Sequence, residues 1–494
     1  MQWLSACNET HTKCHSRTPF LPARLLDVSP PDLSPSEIRL ITTDTLPPST
    51  PYLALSHCWG TTPFLTTTLS TLPALVTSIP ISSLPPNFLD AITTTRRLSH
   101  RYIWIDSLCI IQDSPTDWTT QAPQMHNIYK NASLTLAALA SSSAFTGFFH
   151  TRSPDLIASH RLPDSSTAIP SDLWLTHFHE SPLNTRAWVL QERLLAPRTL
   201  HFGTPQLFWE CKHVEACETF PLGIPEDQFA TGYLRREHDG FKRWEENSRA
   251  DTGGRYDTWE LILHEYTACR LTMERDKFVA LSGVVKEFER VLGDEYLAGL
   301  WRGNFVGGLL WFVDSTDGVA EGRRPREWRA PSWSWASIDG PVNVPFGPEL
   351  GREWVKVAEV VVVPRGGDAT AEVDSAKVRL RGFLVRVERP RLFGVSARVL
   401  GGTVYPDVRS EFVDGAYYAL PVKERLMDED KALYGLLLRA VDGEDDVFER
   451  VGVFLTSEHD PLEILGQYKP EGWDYELERD WFDTTAGEKD IVII

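Results

Sequence analysis

Apolar positions in the first two hundred or so residues switch between two periods. Tyr52-Leu53-Ala54-Leu55-Ser56 is a short continuous apolar run of the kind a strand covered on both faces requires, and Tyr102-Ile103-Trp104-Ile105-Asp106 repeats it. Between them Phe88, Leu89, Ile92 and Arg96 fall at helical spacing. Trp118, Met125, Ile128 and Tyr129 do the same before a third strand-like run over residues 133–139. A further helix beginning near Asn184 carries Trp188, and residues 199–202 and 206–211 read as further strands. Strands alternating with helices predict an α/β unit, a doubly wound and mostly parallel sheet with helices on both faces.

The pattern changes beyond this unit. Residues 141–181 have no sustained period and read as a loop-like insertion, and residues 213–256 are charged, contain glycine and mark a boundary. Trp259, Leu261, Ile262 and Tyr266, then residues 278–285, predict amphipathic helices within a helical, Trp-rich segment over 257–340. The Trp333-Ser334-Trp335 alternation predicts indoles packed on one strand face. Runs at 357–362 and 378–385 predict strands, so residues 341–494 read as mostly β. Residues 1–49 read as a lead-in segment, and residues 28–86 as long Ser, Thr and Pro-rich connections around the first strand.

Composition narrows the function classes. With 42% hydrophobic residues and 17 Trp the chain folds, and 494 residues exceed one ordinary core. Residues 1–200 hold 13 Lys+Arg against 14 Asp+Glu, so nearly all of the net charge of −19 lies in the remainder. An acidic second half opposes binding to phosphate backbones, and no nucleic-acid partner is expected. Seven cysteines without dense spacing fit reduced thiols, and neither a signal-peptide pattern nor a membrane-spanning run is visible, so a cytoplasmic location is expected.

Candidate chemistry lies where the strands end. In a parallel sheet, loops and helix N-termini converge at the carboxyl ends of the strands. Ser56, His57, Trp59 and Gly60 follow the first strand, and Asp106, Ser107 and Gln112 follow the second. Trp188 and Glu192 stand at i and i+4 and share a helix face. The alternative reading gives Trp59 to the core, Gly60 to a turn and Asp106 to a cap, and pairs Glu192 with Arg186 or Arg193. His57 and Cys58 are strand neighbours that point to opposite faces, which argues against a thiol–imidazole dyad, and Cys109 reads as core. Cys7, His11, Cys14 and His15 are dense, as are Cys211, His213 and Cys217, but neither set has paired Cys-x-x-Cys spacing, and no metal is expected. Neither a Gly-x-Gly-x-x-Gly run nor a Walker loop occurs.

Three blocks carry a specific resemblance. Leu55-Ser56-His57-Cys58-Trp59-Gly60, Trp104-Ile105-Asp106-Ser107-Leu108-Cys109-Ile110-Ile111-Gln112 and Arg186-Ala187-Trp188-Val189-Leu190-Gln191-Glu192 resemble the signature of the fungal heterokaryon incompatibility (HET) domain, in the family's order. Asp117-Trp118, Met125, Ile128-Tyr129, Ala132 and Phe208-Trp209-Glu210-Cys211 match as well, so the resemblance spans residues 50–212. It implies an effector of non-self recognition that triggers programmed cell death. The HET domain is similar to Toll/interleukin receptor (TIR) domains, some of which cleave NAD with a Trp-x-x-x-Glu helix. By that resemblance Glu192 is the catalytic carboxylate. The same reading expects Ser56, Trp59, Gly60, Asp106, Gln112, Arg186 and Trp188 to bind the substrate, with NAD as the substrate the resemblance implies and no bound cofactor. The alternative is a non-enzymatic module that signals by self-association or by docking on an incompatibility partner.

Overall fold

The computed structural model describes residues 2–15, 19–153, 157, 160–161, 167–168, 174–225, 244, 256–314, 322–345, 350–388, 391–393, 396–399, 402–413, 415–427, 430–456 and 488–494. Two compact units emerge: Met1–Glu245 with Cys269–Leu271, and Glu246–Ala268 with Thr272–Ile494. Much of the expected boundary at 213–256 lies outside the described residues.

The first unit is built on a nine-stranded sheet. Its strands are β1 (Arg24–Asp27), β2 (Glu37–Thr42), β3 (Leu53–Ser56), β4 (Ile79–Pro80), β5 (Tyr102–Trp104), β6 (Leu134–Ala137), β7 (Arg198–Phe202), β8 (Leu207–Cys211) and β9 (Glu215–Cys217). They lie in the order β9-β8-β7-β6-β3-β5-β1-β2-β4. The middle follows the expectation, since β5, β3, β6 and β7 run parallel. The flanks do not: β8 and β9 on one side and β1, β2 and β4 on the other pair antiparallel. The sheet is therefore mixed, and the expectation of a mostly parallel one is corrected. β1 and β2 lie in the lead-in segment and the Ser/Thr/Pro-rich stretch, where runs as short as Leu25-Leu26 give little periodicity to read.

Helices α1 (Gln2–Thr10), α2 (Leu72–Thr77), α3 (Pro86–Arg97), α4 (Asp106–Cys109), α5 (Pro115–Gln121), α6 (Met125–Asn131) and α7 (Ala187–Leu195) complete the unit. The helical pattern from Trp118 to Tyr129 divides between α5 and α6 at a 3₁₀ turn containing Pro123, whose ring cannot continue a helix. α7 has no side-chain N-cap. Instead the Arg270 carbonyl accepts from the Ala187 amide at 3.0 Å, and the Arg270 amide donates to the Thr185 carbonyl at 2.7 Å. Leu53, Leu55, Ile103, Leu134 and Leu136 are buried, so the central strands carry the core on their length of apolar sequence.

The second unit begins with α8 (Asp257–Ala268) and α9 (Val279–Leu292), matching the two amphipathic patterns. Its C-terminal part is β-rich, an eleven-stranded sheet that includes β10 (Lys356–Pro364), β11 (Val373–Phe383), β12 (Ala416–Met427), β13 (Asp430–Ala440), β14 (Val447–Leu455) and β15 (Glu488–Ile493). Trp333 and Trp335 are both buried, but they flank the start of a 3₁₀ turn and not a strand. The Trp335 indole donates to the Gly299 carbonyl at 2.7 Å, so a hydrogen bond and not sheet alternation fixes that ring. Among the described residues no helix is long and apolar enough to cross a membrane.

Candidate functional site

β3 and β5 are parallel neighbours, so their carboxyl ends open on the same edge of the sheet. Beyond β3 the chain places His57 and Cys58 on opposite sides, as strand alternation requires. The His57 ring stands edge-on to Phe88 of α3 at 5.1 Å, while Cys58 joins a cluster with Phe178, Val189 of α7 and Phe208. The residue reading that argued against a dyad is met by this geometry. Burial pushes the Cys58 thiol up, which leaves it a poor nucleophile.

Trp59 and Asp106 meet directly. The indole Nε1 donates to Asp106 Oδ2 at 2.8 Å, and the Ser107 amide donates to Asp106 Oδ1 at 2.7 Å. His57 Nδ1 lies 3.8 Å from the same carboxylate. Burial lowers the His57 pKa and outweighs the pull of Asp106, so the ring is neutral near pH 7. Gly60 has φ +75°, and a Cβ there would come within 2.5 Å of Ser143 Cβ, so the turn after Trp59 admits glycine alone without strain. Gln112 spends its side-chain amide on the Ile110 carbonyl at 2.9 Å and the Asp106 carbonyl at 3.3 Å, clamping the short α4 turn.

Glu192 arrives from α7 and is buried. Burial raises its pKa to about 7. The Ser56 hydroxyl opposes that rise and the Asp106 charge adds to it, while the Arg186 guanidinium and the Tyr129 hydroxyl oppose it. Ser56 Oγ and Glu192 Oε2 are nonetheless left without a hydrogen bond in good geometry, and the Tyr129 hydroxyl donates to the Leu55 carbonyl at 3.0 Å. Among the described residues no cation lies within ion-pair distance of Glu192. Arg193 is committed elsewhere, to a two-pronged pair with Glu210 at 2.7 and 2.8 Å.

Of the residues singled out in the sequence, Ser56, Trp59, Asp106, Arg186 and Glu192 therefore converge on one volume. Gly60 and Gln112 shape the backbone around it, and Trp188 is half-buried at the margin of the main core. Tyr129 was visible only as a helical apolar position, and no local pattern announced its hydroxyl beside Glu192. A recess of about 840 Å³ in the second unit is rich in charge, but Arg324 pairs with Glu411, Arg439 with Glu449 and Arg329 with Asp339. Its other charged lining residues, such as Glu327 and Lys377, are exposed, whereas Glu192 is buried.

Residues 52–192 match the family model described as heterokaryon incompatibility protein (HET). The chain carries a HET domain. The matched stretch runs from the start of β3 to Glu192 and so contains every residue of the convergence described above. No curated protein and no solved structure matches the chain.

Proposed function

We propose that the HET domain of this protein is the effector of a heterokaryon incompatibility response and acts by cleaving a nicotinamide dinucleotide, with Glu192 as the catalytic carboxylate. The observation that carries the reading is a buried carboxylate at the carboxyl edge of the central parallel strands, with no cation in ion-pair distance among the described residues. A buried charge without a partner is expensive, and such perturbed acids concentrate where a ligand supplies the missing partner. The nicotinamide ring of NAD is cationic and would supply it.

The chemistry follows from the same geometry. Breaking the bond between the ribose C1′ and the ring nitrogen sends the bonding pair to nicotinamide, which leaves neutral without needing a proton. Positive charge builds on the ribose, and an ionised Glu192 stabilises it electrostatically. Water then adds at C1′ and releases a proton, giving ADP-ribose. Trp59, held by Asp106, offers an indole face for a cationic or aromatic ring, and Arg186 suits a phosphate. Similarity to TIR domains through Trp188-x-x-x-Glu192 supports the same assignment, and programmed cell death would follow from loss of the cellular NAD pool.

The test is nicotinamide release by the purified full chain beside Glu192→Gln, which keeps shape and removes charge. The expected result is turnover by the unaltered protein, rising with pH through about 7 as Glu192 ionises, and a loss of about 10²-fold or more in the variant. Equal turnover by both proteins would overturn the role of Glu192. Toxicity without any fall in NAD would instead favour signalling by assembly.

A further inference from the structure

We infer that Cys7, His11, Cys14 and Cys211 form a closed structural zinc site that ties the N-terminal helix to the β8–β9 hairpin. The two cysteine-rich stretches look unpromising separately, and only folding combines three ligands from one with one from the other. Cys7 lies in α1 and His11 follows that helix four residues later, one turn along the same face. Cys14 closes the 3₁₀ turn Thr12–Cys14, and Cys211 ends β8. The three sulfurs and a ring nitrogen of His11 all lie within 4.8 Å of one another. Tetrahedral zinc with Zn–S bonds of about 2.3 Å spaces its sulfurs by about 3.8 Å, so small movements suffice to close the site.

Three further observations support the site, the first two by favouring thiolates over thiols. First, hydrogen-bond donors reach two of the three sulfurs. The Val214 amide donates to Cys211 Sγ at 3.4 Å and Arg198 Nε donates to Cys7 Sγ at 3.1 Å. Second, Arg198 is itself buried, and its hydrogen bonds go to Cys7 Sγ and the Ser133 carbonyl. Among the described residues no carboxylate pairs with it. A buried guanidinium needs an anion. Three thiolates on one Zn²⁺ carry a net charge of −1, which Arg198 would balance. Third, His11 is already oriented: its Nδ1 lies 3.4 Å from Cys211 Sγ and its ring packs on that of His213 at a centroid distance of 4.2 Å.

The ligand count decides the role. Three sulfurs and one imidazole fill a tetrahedron and leave no open position for water or substrate, which is the pattern of a structural site. Soft thiolate donors in that geometry favour zinc over oxygen-seeking cations. Cys217 lies apart in the Phe178 and Phe208 cluster and does not contribute.

The experiment is metal analysis of the purified full chain, followed by exchange of the bound metal for cobalt(II). The expected result is one equivalent of zinc per chain and, with cobalt, thiolate charge-transfer and tetrahedral ligand-field absorption. Cys14→Ser and Cys211→Ser should lose the metal, whereas Cys217→Ser should retain it. Folded, unaltered protein that holds less than about a tenth of an equivalent of zinc after expression with added zinc and gives no tetrahedral cobalt spectrum would overturn the proposal. So would a disulfide between any two of Cys7, Cys14 and Cys211 in protein isolated under reducing conditions. Both readouts use the unaltered chain, so misfolding of a serine variant would not obscure the answer.

Discussion

Glu192 stores free energy that its own titration can reveal. Its carboxyl titrates near pH 4.5 in the unfolded chain and near 7 in the folded one, so between those values the folded state binds more protons. Stability therefore falls as pH rises through this window, and the full penalty is present above pH 7. Removing the charge should reverse this. Glu192→Gln is expected to unfold later than the unaltered protein at pH 8, by up to about 3 kcal/mol, and with little difference near pH 4. Thermal or denaturant midpoints at the two pH values check it, and a variant that is less stable at pH 8 would show that the carboxylate is a satisfied structural group. A gain in stability joined to a loss of turnover is the signature of a group held at a cost for function.

At the scale of elements, α7 carries two neighbouring charges of opposite sign in different surroundings. Glu192 has no ion-pair partner among the described residues, while the next residue, Arg193, locks the helix to β8 through Glu210, which His201 of β7 also contacts at 2.7 Å. Burial alone would raise the Glu210 pKa, but Arg193 and His201 together hold it well below the usual carboxylate range. That stability is present above the unfolded value of about 4.5 and is lost as pH falls toward the depressed folded value. Glu210→Gln should cost about 3 kcal/mol at pH 7, because it removes the two-pronged carboxylate partner of a mostly buried guanidinium and loosens the helix that positions Glu192. Urea midpoints measure the loss, and a change below about 1 kcal/mol would mean that apolar packing alone fixes α7.

Across the whole molecule, each unit has its own buried charge pair. In the second unit Arg450 is fully enclosed, with its guanidinium over the Trp311 ring, Nη2 at 2.9 Å from Asp407 and Nη1 donating to the Leu309 carbonyl at 2.7 Å. Burial lowers the Arg450 pKa to about 10, so it remains charged at neutral pH and depends on Asp407. Asp407→Asn should lower stability by about 3–5 kcal/mol. Because Arg450 and Glu210 belong to different compact units, calorimetry should place the two losses in different unfolding transitions. Both variants shifting one common transition would show that the chain unfolds as a single cooperative body.

Sequence by itself determined what depends on near neighbours. The apolar runs at Leu53 and Ile103, the helical spacing through Ile92, and the i, i+4 placement of Trp188 and Glu192 are set by local geometry, and the motif order identified the HET domain. Tertiary structure alone decided the rest. The antiparallel flanks depend on pairings such as β1 with β5, whose residues stand far apart in the chain, and a four-residue strand has no period of its own to announce them. Whether Glu192 paired with Arg193 or stood alone turned on Glu210 reaching across from β8. Cys211 comes within 4.8 Å of the ligand atoms of Cys7, His11 and Cys14 only because the sheet brings together residues some two hundred positions apart. Burial and electrostatics act through space, so a site assembled from distant segments acquires its chemistry only when the chain has closed around it.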